Sequence, residues 1–383
     1  MRATFSGINI TTGEPVRLQF GKTIEAIHPD RHAPRDLNAP HDLFISPGFV
    51  DLQVNGFGGC DFNDPQIATG CITKALQAIL ATGVTRFLPT IITGPPDAML
   101  SSLANLTRAR DQLPLGRMIA GFHVEGPHIG AEDGPRGAHP ARWVRPPDVA
   151  EFQRWQQVTN TLIRLVTLSP HWPEAPQYIA ALRNAGVVVS IGHTSATAEQ
   201  IAAAVDAGAT LSTHLGNAAC SVLRKHPNCL WDQLAEDRLS ASFIVDGVHL
   251  DNAFLRVALR AKGVDRSILV TDAAAPAGAT PGPYRLGELD VELTPDGDRV
   301  VLAGSQKLAG SSLRMNRAIS NVARLAHLNL RDAVQMATAN PARLIGMDAG
   351  LQPGAPADIV LFRDADLLQI EAVYLDGEQV YRS

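Results

Sequence analysis

The chain has 383 residues, 45% hydrophobic and 19% charged, with a net charge of −5. That balance supplies a large core and excludes a disordered class, and with no run of Lys or Arg it excludes a nucleic-acid or anionic-membrane footprint. Small molecules are the expected partners. No stretch approaches ~18 uninterrupted apolar residues, and the first ten residues lack a basic segment followed by an apolar one, so a cytoplasmic location is expected. Cys60, Cys71, Cys220 and Cys229 show no C-x-x-C pairing. In a chain of this length disulfide staples are not expected, which fits a reducing compartment.

The length exceeds an ordinary domain of ~100–150 residues but accommodates a barrel of ~250 with a small unit beside it. Residues 16–20 and 23–27 alternate in hydrophobicity around Gly13 and Gly21, and a Pro/Asp/His-rich loop follows them. Residues 358–362 and 370–375, the turn Asp376-Gly377 and residues 379–381 repeat the pattern at the other end. Both ends therefore read as strands of one small β-sandwich-like domain, spanning 1–46 and 347–383.

Between them, eight β-rich runs fall at 45–54, 86–92, 118–125, 163–168, 187–191, 210–214, 241–245 and 267–270. Helical patterns at 65–81, 97–112, 174–185, 196–207 and 251–261 alternate with these runs, and Gly83, Gly186, Gly208 and Gly263 stand where helix C-caps belong. Alternation of this kind predicts an α/β fold, a closed (β/α)8 TIM-type barrel over 47–346. A doubly wound open sheet is the second choice, and no early G-x-G-x-x-G supports it. Residues 278–304, rich in Gly and Pro, read as a hairpin over the barrel mouth, turning at Pro295-Asp296-Gly297.

Polar residues collect where the apolar runs end. Asp51, Gln53 and Asn55 close the first run, Glu125 the third, His193 the fifth and His214 the sixth; Asp246 and His249 follow the seventh, and Asp272 the eighth. Each falls at the C-terminal end of a strand, the face where such barrels gather catalytic groups. A single strand-end Glu or His is ordinarily a turn or packing residue, but several on one rim point to chemistry. Glu125, His193 and His214 form a ligand set suited to one divalent ion, zinc first, with a water in its open position. Asp272 suits a general base and then acid, and His249 a donor that polarises a carbonyl or binds a substrate hydroxyl.

These residues lie in motifs that resemble the N-acetylglucosamine-6-phosphate deacetylases of the amidohydrolase superfamily. The motifs are Ser46-Pro47-Gly48-Phe49-Val50-Asp51, Gln53-x-Asn55-Gly56, His123-Val124-Glu125-Gly126-Pro127 and Gly192-His193-Thr194. They continue in Thr213-His214-Leu215-x-Asn217-Ala218, Asp246-Gly247-x-His249, Thr271-Asp272-Ala273, Gly310-Ser311-Ser312-Leu313 and Asn340-Pro341-Ala342. The resemblance implies a metal held by Glu125, His193 and His214, with Asp272 and His249 as catalytic residues. It also implies substrate contacts from Gln53, His139, Asn217, Ala218, Arg224, Lys225, His249 and Leu308. Arg145, in the loop with His139, is placed near the site or a partner subunit, and the assembly implied is a homodimer.

The reaction implied is metal-dependent hydrolysis of N-acetylglucosamine 6-phosphate to glucosamine 6-phosphate and acetate. Gln53-Val54-Asn55 stands where two-metal members carry H-x-H, which points to a single metal. Gly216 stands where the family has an aromatic residue, leaving room or flexibility, and Lys225 stands where it has an arginine. Those two departures motivate an alternative, deacylation of an unphosphorylated or galacto-configured N-acyl sugar. A metal-free scaffold is the third reading.

Overall fold

The computed structural model describes residues 3–30 and 43–383. Most of the Pro/Asp/His-rich loop lies outside these residues. Eight strands run parallel in sequence order: Phe49–Val54, Val84–Ile92, Phe122–Glu125, Ile163–Leu168, Val188–Ile191, Leu211–Ser212, Ser240–Phe243 and Ser267–Leu269. A parallel bridge between Val54 and Ala273 joins the first strand to the chain leaving the eighth. Sequential order and a bridged seam give a nearly closed barrel and rule out the doubly wound sheet, whose strand order would reverse.

Helices on the outside cover the barrel with one apolar stripe each, as in Thr69–Leu80, which buries Ile72, Leu76, Ile79 and Leu80. Gly208 and Gly263 are the C-caps of Ala198–Ala207 and Asn252–Lys262, the positions their sequence patterns predict.

Both termini contribute to a separate mixed sheet of seven strands. From the N-terminal side come Ala3–Asn9, Pro15–Phe20, Ile24–Pro29 and Leu43–Pro47; Ile359–Arg363, Gln369–Leu375 and Glu378–Arg382 come from the other end. The sheet is continuous and curls on itself, so that Phe5 and Phe20 pack on Tyr374 with ring centroids 5.1 and 5.4 Å away. The sandwich-like core is thus made by one sheet.

Three sequence expectations change. The run 45–54 is two strands: Leu43–Pro47 pairs with Ile359–Arg363 in the small sheet, and Phe49–Val54 enters the barrel. Gly48 permits the crossing, because a Cβ there would lie 2.0 Å from Thr85 Oγ1. The hairpin at 278–304 is a three-stranded antiparallel sheet, Gly282–Leu286, Leu289–Leu293 and Val300–Leu302. Pro283 disguises its first strand as a loop, while the turn at Pro295-Asp296-Gly297 is where the sequence puts it. Leu286, Val291 and Val300 of this sheet pack with Ile92 and Ala274 over the barrel mouth.

The third correction concerns the cysteines: Cys60 and Cys71 form a disulfide, with Cα atoms 5.7 Å apart. The short strand Cys60–Asp61 packs against helix Thr69–Leu80, which brings together two residues with no recognisable spacing motif. Among the described residues, no helix is long and apolar enough to cross a membrane.

Candidate active site and metal centre

Glu125 is the last residue of the third barrel strand, whereas His193 and His214 each stand two residues past the fifth and sixth. All three are buried. Glu125 Oε1 lies 3.2 Å from His193 Nε2 and 2.9 Å from His214 Nε2, so both imidazoles converge on one carboxylate oxygen. His193 Nδ1 donates to the Pro135 carbonyl at 2.9 Å, which in the neutral ring leaves Nε2 as a lone pair aimed at Glu125. Two lone pairs facing each other call for a proton or a cation between them. The ligand atoms of the three residues lie within 4.8 Å of one another, and the outward nitrogen of His193 is already held by a carbonyl, so the group fits a divalent metal.

The electrostatics agree. Burial alone raises the Glu125 carboxyl, but the hydrogen bonds and charges of His193 and His214 outweigh it and hold the group well below its ordinary value. Burial lowers His214, yet the Glu125 carboxylate holds the imidazole above its ordinary value.

Asp272 leaves the eighth strand and is fixed from the first. Gln53 Nε2 donates to Asp272 Oδ1 at 3.0 Å and to Glu125 Oε1 at 2.8 Å. Asn55 Nδ2 donates to the same Asp272 oxygen at 2.7 Å, and the Asp272 N–H donates to the Gln53 carbonyl at 2.9 Å. Burial pushes the Asp272 carboxyl up to about 6, and the nearby Glu125 charge adds to the rise. Behind it, Thr271 Oγ1 donates to Asp51 Oδ2 at 2.6 Å, and burial pushes Asp51 up to about 7. His193, His214 and Asp272 all have left-handed backbone, with φ of 51°, 29° and 50°. Such conformations are uncommon for any residue but glycine, and they concentrate at functional sites.

His249 faces the same cavity of about 260 Å³. Its Nδ1 is 2.6 Å from Asp246 Oδ2, and the other oxygen of that carboxylate, Oδ1, accepts from the His249 backbone N–H at 2.8 Å. Against the effect of burial, the hydrogen bond from His249 leads in holding Asp246 below its ordinary value.

Asn217, Ala218, Leu308 and His139 line that cavity too. His139 sits deeper than its sequence suggests: its Nδ1 contacts Thr93 Oγ1 at 2.7 Å, and its Nε2 lies 3.9 Å from Glu125 Oε2. Burial, with His193 next, pushes it down to about 3, so the ring is neutral.

Three residues stand apart. Arg145 is committed to Glu151, at 2.5 and 3.0 Å, and Arg224 and Lys225 are exposed and do not line the cavity. Gly216 does not open space either. A Cβ there would lie 2.5 Å from Phe254 Cε1 and 2.7 Å from Leu250 Cδ2, so neighbouring side chains already fill the volume.

Asn55 was visible in sequence without a role. Its place two residues beyond Gln53 puts it on the same strand face, and that alternation is the signal that finds it. A larger cavity of about 780 Å³, beside helices Thr69–Leu80 and Pro96–Gln112, contains no histidine among its lining residues and shares only Ile92 with the smaller one. The group that fits a metal lines the smaller.

A profile of the amidohydrolase family matches residues 44–380. The chain belongs to the amidohydrolase family. An N-acetylglucosamine-6-phosphate deacetylase from Homo sapiens is 34% identical over 353 residues, covering 88% of this amidohydrolase and 84% of that protein. The Bacillus subtilis protein of the same name is 30% identical over 345 residues, covering 88% and 85%. The crystal structure of N-acetyl-D-glucosamine-6-phosphate deacetylase from Mycobacterium smegmatis is similar over 100% of both chains, at 34% identity and a TM-score of 0.88. A mutant of the M. smegmatis deacetylase in complex with N-acetyl-D-glucosamine-6-phosphate is 33% identical over 99% of both chains, also with a TM-score of 0.88.

Proposed function

We propose that this amidohydrolase removes the acetyl group of N-acetylglucosamine 6-phosphate, giving glucosamine 6-phosphate and acetate. The observation that carries this reading is the convergence of Glu125, His193 and His214 in one cavity with Asp272 held by Gln53 and Asn55. The names and the substrate complex of the relatives support the choice of substrate.

Glu125, His193 and His214 would hold one metal ion, and two imidazoles with a carboxylate suit zinc. When bound, a divalent cation supplies Lewis-acid stabilisation of charge at the reacting carbonyl. Asp272 Oδ1 is occupied by the amides of Gln53 and Asn55, so Oδ2 takes the proton of the attacking water and returns it to the departing amine nitrogen. His249, its Nδ1–H held by Asp246, meets the carbonyl oxygen through Nε2, which donates there in the doubly protonated ring as charge develops. Asn217, Ala218, His139 and Leu308 shape the cavity around the sugar.

A homodimer, implied by the family resemblance, completes the reading; a cytoplasmic location now rests on the relatives alone, because Cys60 and Cys71 are disulfide-bonded. The test is acetate release by zinc-loaded protein from N-acetylglucosamine 6-phosphate, its unphosphorylated form and the galacto epimer, with metal content measured alongside. Turnover on none of them, or protein that takes up no divalent ion, overturns the reading.

A further inference from the structure

The exposed pair Arg224-Lys225 does not line the cavity of its own chain, and another part of the chain places a cation there. Among the described residues that line the 260 Å³ cavity, Lys307 is the only lysine or arginine. We propose that Lys307 is a specificity-determining residue, whose ammonium binds the 6-phosphate of the substrate at the cavity mouth. This rests on the function proposed above and names the residue that makes the phosphate matter.

The backbone at Lys307 is fixed. Its carbonyl accepts from the Leu302 N–H at 2.8 Å, its N–H donates to Ser305 Oγ at 3.2 Å, and the next residue, Leu308, bridges to Val301. The antiparallel sheet packed over the barrel mouth thereby delivers a lysine stem along the cavity wall. The charged end is free to engage a ligand. Its nearest carboxylate, Asp133 Oδ1, is 4.0 Å away and already pairs with Arg136, and the Lys307 side chain is 40% exposed.

A dianionic phosphate is a stronger partner for an ammonium than a distant, shared, solvated carboxylate. Asp272 and the group that would hold the metal lie on the same lining as Lys307, so a sugar with its acetamide at Asp272 turns its phosphate toward Lys307. Lysine suits this place as a flexible point charge, since a cavity rim imposes no bidentate geometry.

The experiment compares kcat/KM for N-acetylglucosamine 6-phosphate and N-acetylglucosamine in wild type, Lys307→Met, Lys307→Arg and Lys225→Met, all zinc-loaded. Binding of glucose 6-phosphate against glucose is measured by calorimetry in the same proteins. Lys307→Met is expected to lower the phosphorylated-to-free ratio about ten-fold or more, the scale of a lost charge-assisted contact. The loss falls mainly in KM, with weaker binding of glucose 6-phosphate, and Lys307→Arg restores most of the ratio. An unchanged ratio in Lys307→Met, or a collapse in Lys225→Met alone, overturns the role of Lys307. A wild type that does not turn over the phosphorylated sugar overturns the underlying function instead, and glucose 6-phosphate binding still decides whether Lys307 holds a phosphate.

Discussion

The Gln53 side-chain amide donates to Asp272 Oδ1 at 3.0 Å, tying the first barrel strand to the group that leaves the eighth. The same nitrogen donates to Glu125 Oε1 at 2.8 Å, so one amide keeps two buried carboxylates apart and hydrogen-bonded. Gln53→Ala should therefore cost more than a lost surface contact. A hydrogen bond to a charged group contributes about 1.5–3 kcal/mol, and the expected fall in kcat is about ten-fold or greater. Steady-state kinetics at saturating substrate check it, and a variant with wild-type kcat would show that Asp272 is positioned without Gln53.

Asp272→Asn separates proton transfer from metal holding. Asparagine keeps an oxygen to accept from Gln53 and Asn55, and Asp272 has no hydrogen bond to Glu125, His193 or His214, so metal content should stay at the wild-type value. Loss of a positioned general base and acid lowers turnover about 10²–10⁴-fold. Elemental analysis and kinetics on one preparation test both halves. Parallel loss of metal would mean that Asp272 supports the metal centre directly.

The pH profile follows from the state Asp272 needs. Burial, with Glu125 adding to it, pushes its carboxyl up to about 6, and only the deprotonated form accepts a proton. Hence kcat/KM should rise with pH through about 6 and fall about ten-fold per unit below it. The Asn55 hydrogen bond favours the carboxylate, so Asn55→Ala should move the acidic limb to higher pH. A limb that stays put in Asn55→Ala, or a flat profile through pH 6, would remove Asp272 as the titrating base.

Chelation tests the metal centre without a substitution. A ligand that binds the folded protein alone adds RT ln(1 + [L]/Kd) to its stability. Dialysis against a chelator should therefore abolish turnover and lower Tm, and added zinc should restore both. Glu125→Ala should prevent the restoration, because His193 and His214 converge on its Oε1. Full activity after exhaustive chelation would discard the metal.

The convergence of polar residues was legible because a barrel places every strand end on one face, so strand assignments brought Glu125, His193, His214 and Asp272 to one candidate site. Pairing partners were less legible. Pro47-Gly48 interrupts the run 45–54, but nothing local shows that the halves on either side enter different sheets. His139 reaches Glu125 from a loop with no periodicity to read, and Cys60 meets Cys71 only through tertiary packing. Lys307 belongs to an insertion whose register is set by antiparallel pairing above the mouth, and so its place in the cavity has no local signature.

Gly216 shows the same limit and gives a stability prediction. In sequence it replaces an aromatic with apparent empty space, yet Phe254, in helix Asn252–Lys262, and Leu250, just before that helix, occupy the space. Its φ of 101° adds a conformation that side chains rarely adopt. Gly216→Ala should destabilise the protein by about 1–3 kcal/mol, combining overpacking against Phe254 with backbone strain. Adding Phe254→Ala relieves the contact with that ring but neither the one with Leu250 nor the dihedral, so only part of the loss should return. Denaturant unfolding of the single and double variants measures this. Full recovery in the double variant would assign the whole effect to packing, and a neutral Gly216→Ala would mean that the loop after His214 moves aside at no cost.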